Sequence, residues 1–357
     1  MRILIDIGHP GHVHYFKNAI HILREHGHEV KITARNKKVI LDLLKSFNFD
    51  FYNRGKGSDS LLGKLFYMII ADFRLLKVAL KFKPDIFLSF STAYAAQVSS
   101  IMRKPHIALT DTEHEDKMLS VFTYPFTSAI ITPESYLNDL GEKQIRFNNV
   151  IEGLYLHKDL FIPESLEQEL GIQKDEKYVI IRFVSWNAHH DFGHSGLDLQ
   201  TKRDLIELLK KEYKIFISSE SDLPEEFQEF KINIAPEKMH SVLAHAHLFI
   251  GESATMSSES ALLGTPAVYI NSLPLMGYLK FEQEQGLVKH FKSSEGVIAY
   301  VENLIREKNL KENSQIRSER MQKGFINPTK FLVWFLENYP LSFKELKSDP
   351  NYQNNFA

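Results

Sequence analysis

A chain of 357 residues, 43% hydrophobic and 25% charged, carries enough apolar material for two domains with a core each. The absence of cysteine excludes disulfides, thiol nucleophiles and cysteine-ligated zinc or iron–sulfur centres. A formal net charge of -2 gives no global attraction to nucleic acid, and no uninterrupted apolar run reaches membrane-spanning length, so a cytoplasmic protein is expected.

The chain enters a strand at once, Arg2–Ile7, with none of the basic, apolar and small-residue regions of a signal peptide. Directly after it stands Gly8-His9-Pro10-Gly11-His12-Val13-His14. Glycines at a strand end allow a tight turn that bares the next helix N-terminus. His14 occupies the place of a third glycine, so the spacing does not support a dinucleotide site. It does set His12 at the sheet's C-terminal edge, able to take a proton from an attacking hydroxyl, with His14 one turn further on. The alternative for all three histidines is capping, hydrogen bonding or a place on the surface among the sixteen histidines of the chain.

Strands are predicted next at Glu29–Thr33, Asp85–Ser89, His106–Leu109, Ala129–Ile131 and Ile145–Val150, alternating with helical patterns, as in a doubly wound α/β domain. Within this domain the apolar stretch 61–83 is interspersed with Lys64, Arg74, Lys77, Lys81 and Lys83, while Asp72 and Arg74 argue against a span. It reads either as a helix packed on the sheet with snorkelling lysines or as a peripheral contact with the inner face of an anionic membrane. Asp111, Glu113 and Glu115 follow one strand and Glu134 the next, so carboxylates are expected beside the site; for Glu134 helix capping is the plainer role.

The polar stretch 159–177, with Pro163 and Gly171, marks a linker. Strands resume at Tyr178–Phe183, Lys214–Ile217, Leu248–Ile250 and Ala267–Ile270. The expected division is 1–160, 161–326, and a capped helix and tail at 327–357 that packs either on the first domain or on the second. Between Arg182 and His194 three histidines and an aspartate crowd together, but their spacing matches no zinc motif and no metal is expected. Arg182, Ser185 and His189 suit a polar clamp on phosphate or sugar, and Trp186 either stacks on a base or joins the core.

The most informative segment is Gly251–Pro266: strand end, small-residue turn, helix start and next strand. Ser253, Ala254 and Thr255 are small enough for backbone N–H groups to approach a diphosphate at the positive end of a helix. Glu259, about one turn inside, can accept two ribose hydroxyls. The competing account is an ordinary capped helix start with Glu259 solvated.

The Gly-x-x-Gly-His turn at Gly8–His12, together with Glu259-x-Ala261-x-x-Gly264-x-Pro266, resembles the GT-B glycosyltransferases. More closely, Met1–Asp6 with His12-Val13-His14-Tyr15-Phe16 and Gly27–Val30 resembles domain-of-unknown-function family three-fifty-four over nearly the whole chain. The resemblance implies an α/β protein of two Rossmann-like domains facing a central cleft, with the nucleotide sugar on the C-terminal domain and the acceptor on the N-terminal one. It implies a metal-independent glycosyltransferase of surface polysaccharide or glycoconjugate synthesis, using a UDP-linked donor, a sugar or lipid-linked sugar acceptor and no cofactor.

In that frame His12 matches the base, with His14 and Glu113 as further catalytic candidates, and Glu259 matches the ribose-binding carboxylate. Gly11, Arg182, Ser185, His189 and Ser253 to Thr255 would surround the nucleotide sugar. The chain is also similar to UDP-N-acetylglucosamine 2-epimerase, but Ser89-Phe90-Ser91-Thr92-Ala93 lacks the carboxylate of that enzyme's Gly-Asp-Thr-Thr-type loop. A sugar-nucleotide epimerase or hydrolase, and a sugar-nucleotide-binding protein without chemistry, are the alternatives.

Overall fold

The computed structural model describes residues 1–57, 61–184, 196–219 and 222–357. They form two compact units, Met1–Leu160 with Gly324–Ala357, and Phe161–Lys323.

The first unit carries strands β1 Arg2–Ile7, β2 Glu29–Ala34, β3 Phe51–Asn53, β4 Ile86–Ser89, β5 His106–Leu109, β6 Ala129–Pro133 and β7 Gln144–Phe147. Its helices are α1 Pro10–Glu25, α2 Lys38–Ser46, α3 Leu61–Phe82, α4 Ala93–Ile101, α5 Asp116–Phe122 and α6 Gly153–Leu156. The seven strands pair in parallel in the order β3-β2-β1-β4-β5-β6-β7. A parallel sheet is covered on both faces, which is why β1 is a nearly continuous apolar run with Ile3, Leu4, Ile5 and Ile7 fully buried.

The second unit holds α7 Glu167–Leu170, β8 Tyr178–Phe183, α8 Leu199–Leu209, β9 Lys214–Ser219, α9 Met239–His245 and β10 Leu248–Gly251. It continues through α10 Ala254–Leu262, β11 Ala267–Ile270, α11 Gly277–Glu284, β12 Val288–Phe291, α12 Val297–Leu304 and α13 Leu310–Gln322. The parallel order is β12-β11-β10-β8-β9. Two edge strands, β3 and β12, add to those expected from sequence.

The chain then returns to the first unit as α14 Pro328–Glu337 and α15 Leu341–Ser348. Asn327 caps α14, its side chain accepting from the Thr329 and Lys330 N–H groups at 3.2 and 3.1 Å. Of the two packing places left open by the sequence, α14 takes the first unit, against α1 and α6.

Strand order reverses between β1 and β4 in one sheet and between β8 and β10 in the other. Open α/β sheets bind ligands outside the C-terminal strand ends at such reversals. The Gly8–His12 turn follows β1, and the Gly251–Thr255 turn follows β10, so both motifs singled out in the sequence stand at a reversal point.

Candidate functional site

At the reversal point of the second unit the backbones of β8 and β10 come very close. A Cβ on Gly251 would lie 2.7 Å from the Arg182 Cβ and 2.9 Å from its carbonyl oxygen, so only glycine fits there. The next residue, Glu252, is buried, and its carboxylate accepts from the Val184 and Leu197 N–H groups, each at 2.7 Å. Glu252 thus fastens the end of β8 to the backbone leading into α8.

Ser253 is the N-cap of α10: its backbone is extended, and its hydroxyl accepts from the Met256 N–H at 3.3 Å. The N–H groups of Ala254 and Thr255 belong to the first turn, which has no intrahelical acceptors, and these small residues are only partly buried. This is an anion-binding arrangement of amides and helix dipole. Farther along α10, Glu259 is 6% exposed, and its Oε1 lies 3.1 Å from Nε2 of the buried His240. A solvated Glu259 is therefore overturned: the carboxylate sits inside the unit beside an imidazole whose ring packs edge-on against Phe161. Gly264 closes the helix region at φ 69°, as its sequence position required. Arg182 reaches sideways along the sheet, Nη1 donating to the Ser218 hydroxyl at 2.7 Å.

At the reversal point of the first unit, His9 caps α1, its Nδ1 accepting from the Gly11 N–H at 3.2 Å. A side chain at Gly11 would crowd the Tyr15 hydroxyl at 3.2 Å. His12 Nδ1 accepts from the Gly8 N–H at 3.3 Å, and a backbone amide can only donate. The neutral ring therefore carries its proton on Nε2. Burial, then the neighbouring His9 and Arg54, holds the His12 imidazole well below the ordinary histidine range, so this neutral form prevails near pH 7. His14 is buried among aromatic rings, 5.8 Å from the Phe47 ring and 5.6 Å from that of Tyr155.

Beneath the Gly8 turn lies a polar cluster that the sequence did not disclose. Asp6, near the end of β1, is fully buried, and its Oδ1 accepts from Arg54 Nε at 2.9 Å and from the Thr33 hydroxyl at 2.7 Å. Arg54 is 1% exposed, donates to the Tyr67 hydroxyl at 3.1 Å and lies 4.4 Å over the Tyr94 ring. Burial, then Asp6, pushes the nearby Asp72 carboxyl up to about 7. The one hint in the sequence is a charged residue within the apolar run of β1.

Further along the same edge, after β5, Asp111 is buried and its Oδ1 accepts from the Thr112 hydroxyl at 2.8 Å. Burial, reinforced by Glu113 and Glu115 against the Thr112 hydrogen bond, raises this carboxyl to about 7. Such a group can hold or release a proton near neutrality. Glu113 itself accepts from the Leu137 N–H at 3.0 Å and so ties the loop after β6 to the turn after β5. Ser185 and His189, with the histidine-rich stretch around them, lie outside the described residues. Among the described residues no group of three or more His, Cys, Asp or Glu is placed to hold a metal ion.

The chain belongs to the family described as "Protein of unknown function (DUF354)", whose model matches residues 1–324. It is 26% identical over 315 residues to an uncharacterised protein of Methanocaldococcus jannaschii, covering 84% of this chain and 91% of that protein. Among solved structures it is similar to UDP-GlcNAc 2-epimerase of Neisseria meningitidis bound to UDP-GlcNAc, with a TM-score of 0.68 and 17% identity over 94% of this chain and 99% of that one. It is likewise similar to a glycosyltransferase of Streptomyces sp. SF2575, with a TM-score of 0.58 and 14% identity over 95% and 100% of the two chains. At these identities the likeness establishes the fold, two Rossmann-like units of the GT-B class.

Proposed function

We propose that the chain is a nucleotide-sugar enzyme, a glycosyltransferase moving a sugar from a UDP-linked donor to a sugar or lipid-linked sugar acceptor in surface polysaccharide or glycoconjugate synthesis. The observation that carries this reading is α10, where a small-residue helix N-terminus capped by Ser253 and a buried carboxylate about one turn on stand together at the reversal point of the second sheet. The diphosphate would lie against the Ala254 and Thr255 N–H groups, and Glu259 would accept the ribose hydroxyls. The helix dipole and the Arg182 guanidinium would then take up the leaving charge without a metal.

In the transfer, the acceptor hydroxyl oxygen bonds to the anomeric carbon as the carbon–oxygen bond to the diphosphate breaks. UDP departs with that electron pair, and the hydroxyl proton needs an acceptor. His12 was the candidate from sequence, but with Nδ1 held by Gly8 its ring presents an Nε2–H. We assign it to donate a hydrogen bond to the acceptor sugar. Breaking one backbone contact to reach the other tautomer costs only about 1 kcal/mol, so the assignment is decided by mutation below. Asp111, a carboxyl poised at about 7 on the same sheet edge, is the better proton acceptor.

The same observation favours a second reading, a sugar-nucleotide 2-epimerase, because an epimerase must remove a proton from a sugar carbon and return one. The two readings separate in a single assay. UDP-sugars are incubated with the chain, with and without sugar acceptors, and products are followed by proton NMR. A transferase releases UDP only with acceptor present, whereas an epimerase converts the donor alone. Binding without product under either condition would leave a sugar-nucleotide-binding protein and reject both enzymes.

A further inference from the structure

The helix α3 is apolar on two opposite faces. Its inner face is used, with Leu75, Val78 and Ala79 packed against Leu4, Phe87 and Val98. Its outer face is bare, with Phe66 68%, Ile69 64%, Phe73 75% and Leu80 59% exposed, at a spacing that puts all four on one side of a helix. Packing on the sheet therefore accounts for half of this helix only. On α5, Met118 and Val121 are likewise 55% and 59% exposed. Gln97 of α4 ties the two helices, its amide reaching the Met68 sulfur at 3.8 Å and the Phe122 carbonyl at 2.9 Å.

An outward apolar stripe this long is uncommon on a free surface. The exposed charges along and just after the second half of α3 are of one sign: Lys77, Lys81 and Lys83 are exposed, and Asp72, the sole acid on α3, is half-buried. A contact between two copies of this face would set these cations against each other. No described helix is long and apolar enough to cross a membrane, and a stripe of this kind lies flat.

We infer that the first unit docks on an anionic lipid surface through α3, with the aromatic and aliphatic stripe entering the headgroup boundary and the lysines meeting lipid phosphates. The inference does not depend on which reaction the chain catalyses.

The test is co-sedimentation with phosphatidylcholine vesicles, with or without about one third phosphatidylglycerol. Binding is expected with the anionic lipid at low salt and should weaken as salt rises. The double variant Phe66→Ser/Phe73→Ser is expected to lower the partition coefficient about tenfold or more. Lys77→Glu/Lys81→Glu is expected to abolish the preference for anionic lipid. Both variants change exposed positions only and should bind UDP-sugars as the wild type does, so a failure here is distinct from a failure of the proposed function. No binding to the anionic vesicles, equal binding by all three proteins, or a dimer that these substitutions dissociate in sedimentation velocity would each overturn the inference.

Discussion

Replacing Glu259 by alanine should do two separable things. The carboxylate is buried and lies 3.1 Å from the buried His240, so its removal leaves that imidazole facing a void. An abandoned buried polar group costs about 1–3 kcal/mol of stability, which lowers the melting temperature by several degrees in a unit of this size. If Glu259 also receives ribose hydroxyls, the variant loses hydrogen bonds to a charged acceptor, again about 1–3 kcal/mol, or roughly a 5- to 150-fold weaker dissociation constant for UDP. Glu259→Gln separates the effects, since the amide keeps a partner for His240 and loses only the charge. Its melting temperature should stay near that of the wild type while UDP binding weakens by an intermediate factor. Scanning calorimetry of the three proteins reads the melting temperatures, and calorimetric titration below those temperatures reads the UDP affinities. Reduced stability with unchanged UDP affinity in Glu259→Ala would refute the ribose role and leave Glu259 a packing residue.

His12→Gln preserves a donor near the Nε2 position and should keep turnover near that of the wild type, whereas His12→Ala should lose about tenfold, the worth of one hydrogen bond; losses of about two or more orders of magnitude in both variants by steady-state kinetics would restore His12 as the base. Gly251→Ala forces a methyl to within 2.7 Å of the Arg182 Cβ, and an overpacked strand contact of this kind should cost about 1–3 kcal/mol in urea unfolding, with an unchanged midpoint counting against so tight a contact. Asp111 titrates at about 7 in the folded chain, above its unfolded value of roughly 3.9, so the folded state holds the extra proton and its stabilising effect, present below about pH 4, is lost as pH rises through 7. Asp111→Asn should therefore stabilise the chain relative to wild type by about 1–4 kcal/mol at pH 8 and flatten the slope between pH 4 and 7, and parallel pH profiles of the two proteins would contradict the raised carboxyl.

The fold was legible because its central strands are buried on both faces and so appear as unbroken apolar runs, as in Ile3-Leu4-Ile5 and Leu248-Phe249-Ile250. The edge strands escaped for the converse reason. β3 spans only Phe51-Tyr52-Asn53, and β12 reads Val288-Lys289-His290-Phe291, half exposed and without a run. The turn after β10 was visible as composition, since small residues before a helix leave a local signature. What surrounds it was not: Glu252 binds amides 68 and 55 positions away, Glu259 meets His240 across 19, and Asp6 meets Arg54 across 48. Such partners are set by strand order, and strand order leaves no local mark.

The central claim is a UDP-sugar site on α10. Its most direct test is the melting temperature of the intact chain across a panel of nucleotides and nucleotide sugars, since a ligand that binds only the folded state raises it. A rise with UDP and a larger one with at least one UDP-sugar, both diminished in Glu259→Gln, is the predicted result; a flat response to every nucleotide sugar would contradict it.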